Sequence, residues 1–281
     1  MKSKPLIFAA ITALFVCFES FTIKAELVLA AEFNIKKDLL LVNFDCKTDV
    51  DDIHTAAALI TLMSHSKFEK VNYHAVAGTY GIQEGLYVPP NDLFQLAFED
   101  NWSDADANSN KALEQVMKKV KKTLNKNGDI WIAEAGQSDF TAKLVKAIQA
   151  ELPKIDVSTR VHVVQHSDWN EKVTSPESLK FVQATTDYQK IPDGNAVGNG
   201  SPGFRIPEYT AWESEIKDPK LLGIWEMAVE IGLAYNGKDG RYNNEAVASG
   251  GLDFSDLSEV CWIFGIQNIK DAPQFFDEYG Q

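Results

Sequence analysis

The sequence predicts an α/β fold: a mainly parallel open sheet with helices on both faces. Three observations predict it. Short apolar runs alternate with amphipathic helical stretches along the chain, the order expected of a sheet covered on both sides. Some 250 residues of ordinary composition remain after a leader, enough to bury one large core. Four polar clusters fall where the strands should end, and in open parallel sheets ligands lie beyond the carboxyl ends.

In chain order, Leu39 to Phe44 reads as a strand and Asp51 to Met63 as a helix that offers Ile53, Ala56, Ala57, Ile60 and Leu62 to the core. Val71 to Ala77 is the next strand, followed by a helix near Asn91 to Glu99, a loop from Asn101 to Asn110 and a basic helix to Asn125. Asp129 to Ala133 is a third strand. A turn at Gly136–Asp139, a helix from Phe140 to Ala150 and a strand from Val161 to Val164 repeat the unit. The glycine- and proline-rich segment 192–207 stops regular structure; loops of that length are functional, mobile or simple surface excursions. Helices near Pro219 to Ala234 and Ser255 to Phe264 complete the chain.

The first 25 residues read as an export signal, because Lys2 and Lys4 precede the apolar run Leu6 to Phe18 and small residues follow. Cleavage after Ala25 is favoured, with Ala30 and Ala31 as other candidates, which leaves residues 26–281 as a single domain. The run falls short of the roughly 20 residues a bilayer helix needs, so the exported protein is periplasmic or secreted, with no stable membrane insertion. Cleavage removes three lysines and one glutamate, taking the formal charge from −13 to −15. Such a chain repels phosphate backbones, and nucleic acid is excluded as a partner. Lys118 to Lys126 lie opposite Val116, Val120 and Leu124 and read as a solvated helix face. After export only Cys46 and Cys261 remain, at most one disulfide.

The stretch NFDCKTDVDD places four carboxylates, Asp45, Asp49, Asp51 and Asp52, within eight residues after the first strand. Like charges at 4 Å repel by about 4 kcal/mol at an effective dielectric near 20, so the cluster needs water, a shared proton or a cation. Helix capping by Thr48 or Asp49 and first-turn placement of Asp51 or Asp52 explain one or two of them. A hard divalent ion, which takes six to eight oxygens, explains four. Lys47 breaks the pattern of a calcium loop or a phosphatase Asp-x-Asp, and neither a phosphate loop nor a nucleophile elbow occurs.

Asp45, Asp51 and Asp52 after a strand, followed by an Ala-rich helix, resemble the signature of the nucleoside hydrolase superfamily, Asp-x-Asp-Pro-Gly-x-Asp-Asp. Later segments keep the order: Gly136–Ala142 stands where that family has Gly-Pro-Leu-Thr-Asn, Trp169-Asn170 and Ser175–Ser178 resemble its Phe-Asn and Asp-Pro-Glu-Ala, and Ser255-Asp256-Leu257 resembles its late His-Asp-Pro. The likeness spans residues 38 to about 262 and is closest to divergent secreted members described as sugar-binding or nucleoside hydrolase-like. In the family the second aspartate is both calcium ligand and base. Lys47 stands there, and Asp49 offers a carboxylate two places on.

The resemblance implies hydrolysis of an N-glycosidic or related ribosyl bond by a calcium-activated water. It makes Asp45 and Asp49 the catalytic candidates and Asp45, Asp49, Asp52 and Asp256 the metal ligands. Asp51, Asn170, His166, Trp169 and Asp139 become candidates for the nucleoside or sugar ligand; a homo-oligomer is left open. Non-catalytic sugar binding on the same fold is the alternative. Each residue also has a plainer reading: Asp256 with Glu259 is a capping box, His166 is a structural imidazole, Trp169 is a core aromatic, His54 is a packing residue, and Lys47 neutralises the acids. Ser255 in place of the family's late His argues against purine nucleosides.

Overall fold

Leu39–Phe44 (β1) is buried at every position, which is why its sequence LLLVNF is apolar on both faces. It pairs in parallel with Asn72–Ala77 (β2) on one side and Ile130–Ala135 (β4) on the other, Phe44 lying level with Ala77 and Ala135. Trp102–Asp104 (β3), Val161–Gln165 (β5) and Asp187–Lys190 (β6) extend the sheet in the order β3-β2-β1-β4-β5-β6, every pairing parallel. The computed structural model describes residues 31–196, 202–266 and 269–281, so residues 1–25, read from sequence as an export signal, and part of the 192–207 loop lie outside the described residues. Glu32–Gln281 fold as one compact unit, and no helix among the described residues is long and apolar enough to cross a membrane.

Alternate strand residues serve opposite faces. Leu39, Leu41, Ile130 and Ile132 pack on the helices Ala105–Leu124 (α3) and Asp139–Glu151 (α4) through Val116, Val120, Leu144 and Ile148. Leu40, Val42, Phe44 and Ala133 pack on the opposite face among residues of Asp51–Ser64 (α1) and the helices that follow residue 212. Val157–Arg160 (α5), Asp168–Val173 (α6) and Pro176–Thr185 (α7) surround β5 and β6, with Asn91–Phe98 (α2) before β3. Beyond the sheet come Trp212–Glu215 (α8), Pro219–Tyr235 (α9), Glu245–Ala248 (α10), Leu257–Ile263 (α11) and Ala272–Tyr279 (α12). A two-stranded antiparallel ribbon joins Arg205–Ile206 (β7) to Leu252–Asp253 (β8).

Phe254 links this region to the core: fully buried, it stacks on Phe204 at 4.7 Å and meets Trp225 and Phe275 edge-on or tilted. Phe254→Ala should lower the unfolding free energy by about 3–5 kcal/mol in urea denaturation. A loss below about 1 kcal/mol would show that the aromatic cluster is not part of the cooperative core.

The segment expected as a loop from Asn101 contains β3 and the start of α3, capped by Asp104, whose carboxylate accepts the Ala107 N–H. The short helices α5, α6 and α7 and the polar strand β6 are likewise absent from the sequence reading, as is α12. Strand order reverses between β1 and β4: the chain after β1 continues toward one edge and the chain after β4 toward the other, which opens a crevice at their carboxyl ends. Gly136, just past β4, lies so close to β2 and β1 that a Cβ would meet Thr79 Oγ1 at 2.6 Å and Asp45 Cβ at 3.1 Å. A side chain there would force the two loops apart.

Candidate functional site

The crevice holds a cavity of about 330 Å³, the size of a small-ligand site. Its lining includes Asp45, Asp49, Asp51, His166, Asn170 and Asp256, together with Trp169. Seven residues picked from three separated segments therefore share one cavity. Asp52 stands behind the lining with its side chain buried, and Asp139 does not line it. The Asp139 carboxylate instead accepts the Ser175 N–H and the Ser178 hydroxyl, tying α4 to the start of α7.

The aspartate loop is held by its own carboxylates. Cys46 adopts a left-handed backbone, φ 51°, a conformation that costs a non-glycine residue about 1–3 kcal/mol. Asp52 accepts the Cys46 N–H at 2.5 Å, and Asp45 accepts the Lys47 N–H at 2.6 Å and the Gln137 amide at 2.5 Å. Asp49 accepts the Val50 N–H and the Asn244 amide, and the same amide group serves Asp253 at 2.8 Å. No side chain caps α1, whose N-cap is Val50, so the capping expected of Thr48 or Asp49 is not made. Asp256 likewise makes no capping bond to α11. It accepts His166 Nε2 at 2.8 Å, while Glu259 accepts the His166 N–H.

Burial pushes the carboxyls of Asp45 and Asp49 up to about 7, with neighbouring acids adding to the rise. Asp51 and Asp52 are driven well above the usual range by burial and by the charges around them, Asp256 among them. For His166, burial lowers the pKa, but hydrogen bonds to Asp193 and Asp256 outweigh it and hold the ring up to about 10. The Gly194 N–H lies 3.0 Å from Nδ1 and favours a neutral ring; two carboxylates outweigh one amide dipole, so the ring is cationic. It sits 1 % exposed, a positioning group for Asp256 rather than an open proton donor. His54 is a packing residue: Nδ1 accepts the Asp253 N–H, and burial lowers its pKa to about 4.

Lys47 does not neutralise the acids. Its ammonium lies 4.2 Å from the centre of the Tyr80 ring, and among the described residues no carboxylate stands within ion-pair distance of it. Arg205 faces Asp253 at 3.4 Å. Cys46 and Cys261 are both buried free thiols. Trp169 is an open aromatic wall, 54 % exposed, and not a core residue.

A cation fits this donor set in chemistry: every acid donor is a hard oxygen, the carboxylates repel one another, and the buried Asp52 Oδ1 has no hydrogen-bond partner. Among the described residues, however, no three Asp, Glu, His or Cys side chains stand together in the arrangement of a bound ion. Gln137, Asn244, Asp253 and Arg205 were not singled out from sequence as site residues. Arg205 lies in the irregular 192–207 segment and Asp253 in the polar cluster before α11, which were the available signals; an amide partner such as Asn244 has none. The chain matches no family model, no curated protein and no solved structure.

Proposed function

We propose that the protein is an exported hydrolase of N-glycosidic or related ribosyl bonds, of the nucleoside hydrolase type that its motifs resemble. The observation that carries this reading is the gathering of Asp45, Asp49, Asp51, Asn170 and Asp256 around one cavity at the reversal of strand order. Asp49, which lines the cavity two places after the family's base position, is the general base that takes the proton of the attacking water. Asp45 supports it across the loop. Asp51 and Asn170 take sugar hydroxyls, Trp169 offers a ring face, and His166 orients Asp256.

Asp45, Asp49, Asp52 and Asp256 would hold a calcium ion. When bound, that ion lowers the pKa of a ligated water and neutralises the acids. The second reading is a sugar-binding protein without turnover, favoured by the lack of a ready-made three-acid cation arrangement among the described residues.

Incubation with a panel of pyrimidine and purine nucleosides, with and without calcium, separates the two. Reducing-sugar release that disappears on chelation supports the hydrolase. Saturable sugar binding with no product over hours supports the binder. Neither release nor binding would overturn both.

A further inference from the structure

We propose that the ligand of this cavity carries a phosphomonoester, held at the mouth by Lys47 and Arg205 while its sugar hydroxyls reach the acid floor. The inference rests on the sugar-site reading and deepens it. The cavity is bipolar. Asp45 and Asp256 are 8 % and 5 % exposed and form the floor, whereas Lys47 and Arg205 line the same cavity from partly exposed positions.

Each cation is held beside a tyrosine. The Lys47 ammonium lies over the Tyr80 ring, and Arg205 shares the lining with Tyr242, itself half exposed. Neither cation is consumed by the aspartate loop: Lys47 has no carboxylate within ion-pair distance among the described residues, and Arg205 directs Nε to Asp253.

A phosphomonoester carries roughly −1.5 to −2 charges at neutral pH, which two cations match. Arg adds a planar fork of donors suited to phosphate oxygens. With a net charge of −13, the protein repels anions at long range, so capture falls to these two side chains at close range.

Calorimetric titration of the full chain with ribose, ribose 5-phosphate and inorganic phosphate tests this. Ribose 5-phosphate should bind about tenfold or more tightly than ribose, an advantage of the size charge-assisted hydrogen bonds supply. It should shrink when salt is raised, and it should fall below about threefold in Lys47→Met. Arg205→Met leaves the buried Asp253 without its cation and can cost the fold, so Lys47→Met carries the test. Equal affinity for ribose and ribose 5-phosphate would overturn the inference and leave the sugar site standing. Inorganic phosphate binding as tightly as ribose 5-phosphate would overturn it by reducing the pair to a bare anion site. No affinity for any of the three would overturn this inference and the sugar reading together.

Discussion

Asp49→Ala will abolish sugar release, lowering kcat by about a thousandfold or more, the scale of a lost general base combined with a lost cation ligand. Chelation of the wild-type protein should give a loss of the same order, because both remove the activated water. Asp49→Asn is the sharper variant. It keeps the shape and can still accept the Val50 N–H, so the loop stays in place while the base disappears. It also removes one charge from a set of buried acids, so in chelating buffer at about pH 8 it should be about 1–2 kcal/mol more stable than wild type, a gain in stability with a loss of function. Turnover that survives both Asp49→Asn and chelation would rule out the proposed mechanism.

In chelating buffer the unfolding free energy should fall as pH rises from about 6.5 to about 8, by about 2 kcal/mol or more. Most proteins gain or hold stability over that range. Asp45 and Asp49 have native pKa values of about 7 against 3.8 when unfolded. Between those values the native state holds more protons, so each group lowers stability as pH rises, by about 1.4 kcal/mol per unit when fully engaged. His166, raised from 6.5 to about 10, adds a loss of the same sign that starts near 6.5 and runs to about 10. His54 and His74 oppose this at lower pH, because burial lowers them to about 4 and about 3. At about 6.5 the unfolded imidazoles are half titrated, so their rising contribution is fading and from there to about pH 8 adds only about 0.4 kcal/mol each, less than Asp45, Asp49 and His166 remove. Calcium, if the carboxylates hold it, should flatten the dependence by neutralising them. Denaturant titrations at the two pH values, with and without calcium, measure both effects. A stability that rises with pH in chelator would refute the buried-acid account.

The legible parts of the chain were those in which one local period dominates. β1, β4 and β5 are buried on both faces and announce themselves as apolar runs, while α3 shows its buried valines opposite lysines. β3 and β6 escaped notice because WSD and DYQK carry no apolar period; their place in the sheet comes from pairing with β2 and β5. Capping signals failed at Asp256 and Asp49 for a related reason. The residue types suit a cap, but stronger partners across the fold claimed them: the His166 imidazole for one, the Asn244 amide for the other.

From sequence alone it follows that four aspartates crowd the end of the first strand and must be reconciled with one another, because their chemistry and spacing are local properties. Whether that crowding becomes a site was decided only by the tertiary structure. The reversal of strand order at β1 and β4 brings Asp256, Asn170 and His166 to Asp45 from as far as 211 positions along the chain. The same folding buries the acids enough to raise their pKa values and turns the Lys47 ammonium away from them onto Tyr80. Burial and the direction of a long side chain are set by neighbours distant in sequence, and no spacing within NFDCKTDVDD encodes them.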